Sequence, residues 1–70
     1  MSESIYKVIE LVGSSEKSWE DAARKAVERA AQTLEDLRVA EVSAMDMKIE
    51  EGKVVAYRTK VKLSFRFKEV

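Results

Sequence analysis

Val54-Val55-Ala56-Tyr57-Arg58-Thr59-Lys60-Val61-Lys62-Leu63-Ser64-Phe65-Arg66-Phe67 decides how this chain must fold. Its odd positions carry Val55, Tyr57, Thr59, Val61, Leu63, Phe65 and Phe67, and its even positions carry Arg58, Lys60, Lys62, Ser64 and Arg66. Side chains of a strand point alternately to opposite faces, so the pattern predicts one long strand with an apolar face and a basic face. It is well beyond the usual length of about five or six residues. An apolar face of that length needs a cover, and the chain offers one, the helically spaced stretch Trp19–Leu37. The basic face must find acids on a neighbouring strand, solvent or an anionic ligand.

In the covering stretch, Trp19, Ala22, Ala23, Ala26, Val27, Ala30, Leu34 and Leu37 fall on one stripe. Most of the stripe is alanine, which lets a sheet approach closely while the sheet supplies the large side chains. Ser18 followed by Asp21 nearly matches a capping box, and Glu20 and Asp21 suit the positive end of the helix dipole. Glu20–Arg24 and Asp21–Lys25 have the favourable acid-first spacing of four. Glu35 and Asp36 oppose the dipole at the other end and mark the helix stop. Trp19, at the first helical position, is expected to cap one end of the core.

Ile5–Val12 is strand-like, with Ile5, Ile9 and Leu11 on one face and Tyr6, Val8 and Val12 on the other. One face is expected to meet the helix, while the other either meets a second subunit or stays half-exposed. Gly13–Lys17 is expected to be an ordinary strand-to-helix turn, with Gly13 chosen for its backbone freedom; it lacks the Gly-Lys-Ser/Thr ending of a phosphate loop. In Val39–Ile49, Ala40, Val42 and Ala44 alternate, then Met45, Met47 and Ile49 alternate with the opposite parity, which predicts a bulge or a change of partner. Glu50-Glu51-Gly52-Lys53 is a hairpin turn. The element order is β-α-β-β. If the last strand lies between the other two, every pair is antiparallel. The fold class is therefore α+β: a three-stranded antiparallel sheet wrapped on one helix, in a single domain over residues 1–70.

Seventy residues bury little apolar area, and such chains are commonly supported by disulfides, metals or oligomerisation. The absence of cysteine and histidine removes disulfides, thiolate sites, the usual general base and the commonest zinc ligand. Oligomerisation is the remaining support. No constellation of carboxylates, lysines or tyrosines suggests catalysis, so the chain is read as non-enzymatic. Thirteen basic and thirteen acidic residues leave no net charge, which argues against nucleic-acid or membrane-surface binding. Tyr57, Phe65 and Phe67 share the core face, away from the cations, which argues against base stacking as well. No apolar run approaches the ~20 residues of a membrane span. Met1-Ser2-Glu3-Ser4 lacks a signal-peptide pattern, so the expected location is cytoplasmic.

Tyr6-Lys7-Val8-Ile9-Glu10-Leu11-Val12-Gly13-Ser14-Ser15, the alanine-rich helix with Ala26, Arg29 and Ala30, Val39-Ala40-Glu41-Val42, and Tyr57-Arg58-Thr59-Lys60-Val61 to Phe65 together resemble the dodecin family nearly end to end. The resemblance implies a β-α-β-β subunit of a hollow homododecamer that binds flavins (riboflavin or FMN) for storage, without turnover. In that family a Trp before the Ala/Phe-Glu-Val segment stacks on the flavin, and a Gln after the Tyr of the third strand bonds its polar edge. Here Val39 and Arg58 hold those positions. Valine offers less stacking area, and Arg58 is a fixed cation with no acceptor. The altered flavin pocket implied by the resemblance includes Val39, Glu41, Arg58 and Lys60. A branch with valine at the tryptophan position is linked to calcium, and this chain is similar to it, including Ser18-Trp19-Glu20. The alternative ligand is therefore Ca2+, with Glu41, Asp46 and Glu50 as candidate oxygen ligands in a site assembled between subunits. A further variant is an anionic coenzyme on Arg58, Lys60 and Lys62.

Overall fold

The computed structural model describes residues 5–66. Four elements follow one another: β1 (Tyr6–Ser15), α1 (Trp19–Ala31), β2 (Leu37–Glu50) and β3 (Lys53–Arg66). The three strands form one antiparallel sheet in the order β1-β3-β2, so the long alternating strand is central, as its pattern predicts. Phe67 lies outside the described residues. No described helix is long and apolar enough to cross a membrane.

The core lies between α1 and the odd face of β3. Val61, Leu63 and Thr59 are fully buried there against Ala22, Ala26 and Ala30, with Ile9, Leu11, Ala23, Val27, Leu34 and Leu37 around the edge. Ser18 caps the helix as expected: its backbone is extended and its hydroxyl accepts from the Asp21 N–H at 2.9 Å. Asp21 pairs with Lys25 (3.2 Å), whereas Arg24 also turns to Asp21 (3.7 Å) rather than to Glu20.

The helix stops at Ala31, earlier than the Trp19–Leu37 spacing predicts. Gln32 and Thr33 close it with tightened bonds to Arg29 and Ala30, and Asp36 takes a positive φ of 63° that turns the chain back into the sheet. Leu34 and Leu37 still pack on the core, but from the connection and from the start of β2. Helical spacing alone could not distinguish these routes to the same apolar surface.

β1 runs on to Ser15 rather than stopping at Val12, so Gly13 and Ser15 lie in the strand and not in a turn. Gly13 does not adopt a positive φ. Its role is close approach, because a Cβ there would overlap the Ala22 carbonyl oxygen and press on the Ala26 side chain at 3.1 Å. The turn at the other end does require freedom: Glu51 (φ 51°) and Gly52 (φ 76°) are both left-handed.

β2 starts at Leu37 and carries the anticipated bulge. Between Val42 and Ala44 the register shifts, so that Ser43 is the extra residue and Met45 and Met47 join Ala40 and Val42 on the face of the helix. A second shift leaves Val55 of β3 unmatched between the Lys48–Ala56 and Ile49–Val54 pairs. These two shifts cancel. Between them, Ala44–Lys48 faces Ala56–Lys60 with the register displaced by one residue.

The sheet outruns its cover. A helix of 13 residues spans ~20 Å, whereas 14 residues of β3 span ~46 Å. The molecule is accordingly elongated, 54 × 20 × 15 Å. The uncovered part exposes Val42, Met45 (59%), Met47, Ile49 (61%) and Val54 along the hairpin. On the other side of the sheet Val39, Tyr6, Val8 and Val12 are also exposed.

Candidate ligand-binding face

The even face of β3 gathers the charged side chains. Its strand partners define four rows across the sheet. Ser14, Arg58 and Asp46 form the first, Val12, Lys60 and Ala44 the second, Glu10, Lys62 and Glu41 the third, and Val8, Ser64 and Val39 the fourth. Neighbouring strands lie ~4.8 Å apart, and successive rows are ~7 Å apart along the strand.

In the first row Arg58 and Asp46 make a bidentate pair, Nε to Oδ1 at 2.7 Å and Nη2 to Oδ2 at 2.8 Å. Hydrogen bonding and charge from Arg58 hold the Asp46 carboxyl below the ordinary aspartate range, with a smaller contribution from Lys60. The same pairing raises the Arg58 guanidinium further above its usual value. The pair depends on the displaced register. Without the unmatched Val55, Asp46 would face Tyr57 and point to the other side of the sheet.

The remaining cations have different neighbours. Lys62 sits between two acids, Glu10 and Glu41, at the spacing of cross-strand pairs. Lys60 sits between Val12 and Ala44 and has no acid opposite it on either strand.

All four residues of the expected flavin pocket, Val39, Glu41, Arg58 and Lys60, lie on this one face. They are not, however, adjacent. Val39 is opposite Ser64, six residues of β3 from Arg58, a separation of ~20 Å. One chain therefore brings Arg58 and Lys60 together but leaves Val39 at the far end. The three candidate metal ligands are likewise strung along β2. Glu41 and Asp46 face β3 positions four residues apart, ~13 Å, and Glu50 lies farther on at the hairpin turn. Asp46 is engaged by Arg58, and Glu50 by Lys48 at 3.5 Å. Among the described residues no three acids come together as a metal cluster. Glu41 is exposed and makes no ion pair among the described residues.

On the opposite face of the sheet is an apolar groove of about 500 Å³, lined by Trp19, Ala23, Val42, Met45 and Thr59 among others. Trp19 meets Tyr57 edge to face, 5.0 Å between ring centroids at 67°. Its indole Nε1 donates to the Asp46 carbonyl oxygen at 3.0 Å, and its own carbonyl accepts from the Thr59 hydroxyl at 2.9 Å. Trp19 is half-buried and lines the groove instead of packing on the core cluster, so the expected core cap is replaced by a tether to β2 that was not foreseen. The available signal was the parity change at Met45, which brings the end of β2 onto the side of the helix.

The dodecin family model matches residues 5–68. The chain belongs to the dodecin family. It is 43% identical over 65 residues to the calcium dodecin of Mycobacterium tuberculosis, covering 93% of this chain and 92% of that one. It is 38% identical to a dodecin of Thermus thermophilus, covering 93% and 94%. Its fold superposes on dodecin from Streptomyces coelicolor with a TM-score of 0.91 at 41% identity, covering both chains completely.

Proposed function

We propose that this protein is a homo-oligomeric, non-enzymatic binding and storage protein of the dodecin type, a dodecamer whose ligand sites lie between subunits. The observation that carries the reading is the ~20 Å between Val39 and Arg58 on a single face. Residues so far apart line one pocket only when a second copy brings its own face alongside. The uncovered hairpin supports the same reading, since Met45, Met47 and Ile49 need a partner surface that one helix does not supply. The family ligand is flavin. With Val39 in place of a stacking ring and Arg58 held by Asp46, riboflavin is bound weakly.

A second reading, calcium in place of flavin, is favoured by the 43% identity to a calcium dodecin and by Glu41, which is exposed and makes no ion pair among the described residues. Because the acids of one chain are spread along β2, such a site draws oxygens from more than one copy. The test is light scattering of the purified protein combined with titrations of riboflavin, FMN and Ca2+. A mass near twelve subunits with flavin quenching supports the first reading. The same mass with calcium uptake and no flavin signal supports the second. A monomer that binds none of them overturns both.

A further inference from the structure

The two register shifts that cancel in the β2–β3 pair leave one extra residue on each strand, Ser43 on β2 and Val55 on β3. A slide of Ala44–Lys48 by one position removes both bulges together. Met45 then faces Arg58, Asp46 faces Tyr57 and Met47 faces Ala56, while the Val42–Val61 and Ile49–Val54 pairs on either side stay as they are. Because side chains alternate, the slide also exchanges faces: Met45 and Met47 move to the side of Arg58, and Asp46 moves to the side of the helix. β2 is the strand free to move. From Tyr57 to Arg66, β3 is held by an unbroken register with β1, whereas β2 is an edge strand, paired on one side only among the described residues. Backbone bonding favours the slid register, since each bulge keeps a residue out of the ladder. Apolar burial in one chain opposes it little, since Met45 and Met47 are both exposed. The bonds that exist only in the bulged register converge on Asp46. Its carboxylate accepts from Arg58 at 2.7 and 2.8 Å, and its carbonyl accepts from the Trp19 indole at 3.0 Å. The Ser43 hydroxyl adds a longer bond to the Lys60 carbonyl oxygen, 3.3 Å.

We propose that β2 and β3 form a two-register hairpin with Asp46 as its lock: the bonds from Arg58 and Trp19 hold Ala44–Lys48 in the bulged register, and without them the segment slides by one residue into the unbulged one. The register decides what both faces of the sheet present. In the bulged state Met45 stands with Val42 and Trp19 at the apolar groove, and Arg58 is neutralised by Asp46 on the other face. In the slid state a carboxylate replaces the thioethers on the groove side, and Arg58 stands unneutralised beside Met45. One residue of sliding therefore changes an apolar surface and a charged surface together. The device is a property of one chain and holds whatever ligand the charged face takes.

The chain has no cysteine, so introduced cysteine pairs report the register without interference. Lys48→Cys with Ala56→Cys places two thiols opposite each other in the bulged register, and Met47→Cys with Ala56→Cys does so only in the slid one. Each full-length reporter is equilibrated in a buffer of reduced and oxidised glutathione, and the disulfide formed within one chain is quantified by mass spectrometry of a non-reduced digest. With Asp46 intact the bulged pair should dominate. Asp46→Ala should lower the ratio of bulged to slid disulfide about fivefold, the effect of one exposed bidentate pair in good geometry. Arg58→Met, which breaks the same pair from β3, should lower it likewise, and Trp19→Phe should lower it less. The exchange Asp46→Arg with Arg58→Asp rebuilds the pair in the bulged register alone and should restore the ratio, which a general loosening of the hairpin would not allow. An unchanged ratio in Asp46→Ala and Arg58→Met overturns the inference. So does a parallel loss of both disulfides, which means local unfolding in place of a slide, or a charge exchange that leaves the ratio low.

Discussion

Trp19 and Asp46 join the helix to the far half of the sheet, indole Nε1 donating to the Asp46 carbonyl oxygen at 3.0 Å. The same Asp46 sends its carboxylate through to the opposite face, where it holds Arg58. One residue of β2 therefore links the apolar groove on one side of the sheet to the charged rows on the other. Trp19→Phe keeps an aromatic ring near Tyr57 and loses the indole donor, and is expected to cost ~1 kcal/mol, the net value of one hydrogen bond. Trp19→Ala should cost more, since the ring contact is lost too. Urea unfolding at a fixed protein concentration measures both, because the stability of an oligomer depends on concentration.

Gly13→Ala is expected to be among the more damaging single changes. The added methyl would overlap the Ala22 carbonyl oxygen, which belongs to the helix backbone and cannot rotate away. The helix must shift off β1, at an expected cost of ~2 kcal/mol or more. Gly52→Ala meets no steric neighbour and suffers only from its φ of 76°, which should cost ~1 kcal/mol. Thermal unfolding of the two variants side by side should rank them in that order.

Acid should weaken the fold through two aspartates. The Ser15 hydroxyl, donating at 2.6 Å, and Lys25 hold the Asp21 carboxyl below the ordinary range. Arg58 does the same for Asp46. A group whose pKa is lowered by folding stabilises the fold above its unfolded pKa, and that contribution is lost as the pH falls through the folded value. Urea midpoints are therefore expected to hold steady down to about pH 4 and to fall below it. Asp21→Asn should lower the midpoint at neutral pH and flatten the acid slope.

Assembly should fail when the uncovered hairpin is charged. Met45 is exposed at 59% beside Val42 at the mouth of the apolar groove. Met45→Glu replaces an exposed side chain and places a carboxylate on the surface that the proposed oligomer would bury. Light scattering should show dissociation to smaller species, while circular dichroism retains the β-α-β-β signature. An intact large assembly would mean that this part of the hairpin is not an interface.

The order of elements, the central place of β3, the Ser18 cap, the turn at Gly52 and the bulge in β2 were all legible in the sequence. Each follows from a local pattern: alternation in Val54–Phe67, a hydroxyl placed before a run of helix formers, a glycine between two strands, and a change of parity at Met45. The sequence also showed a row of cations that needed acids. It did not show which acid meets which cation. A hairpin counted outward from Gly52 pairs Asp46 with Tyr57, and only the unmatched Val55 moves Asp46 opposite Arg58. Such a register depends on how both strands bend together, not on either pattern alone. The helix stop at Ala31 and the role of Gly13 were hidden for a related reason. Leu34 and Leu37 reach the core from a turn as well as they would from a helix, and the need for a missing Cβ exists only once Ala22 lies over Gly13. Local periodicity determined what each segment becomes; contact between segments decided where each begins, where it ends and which side chains it brings together.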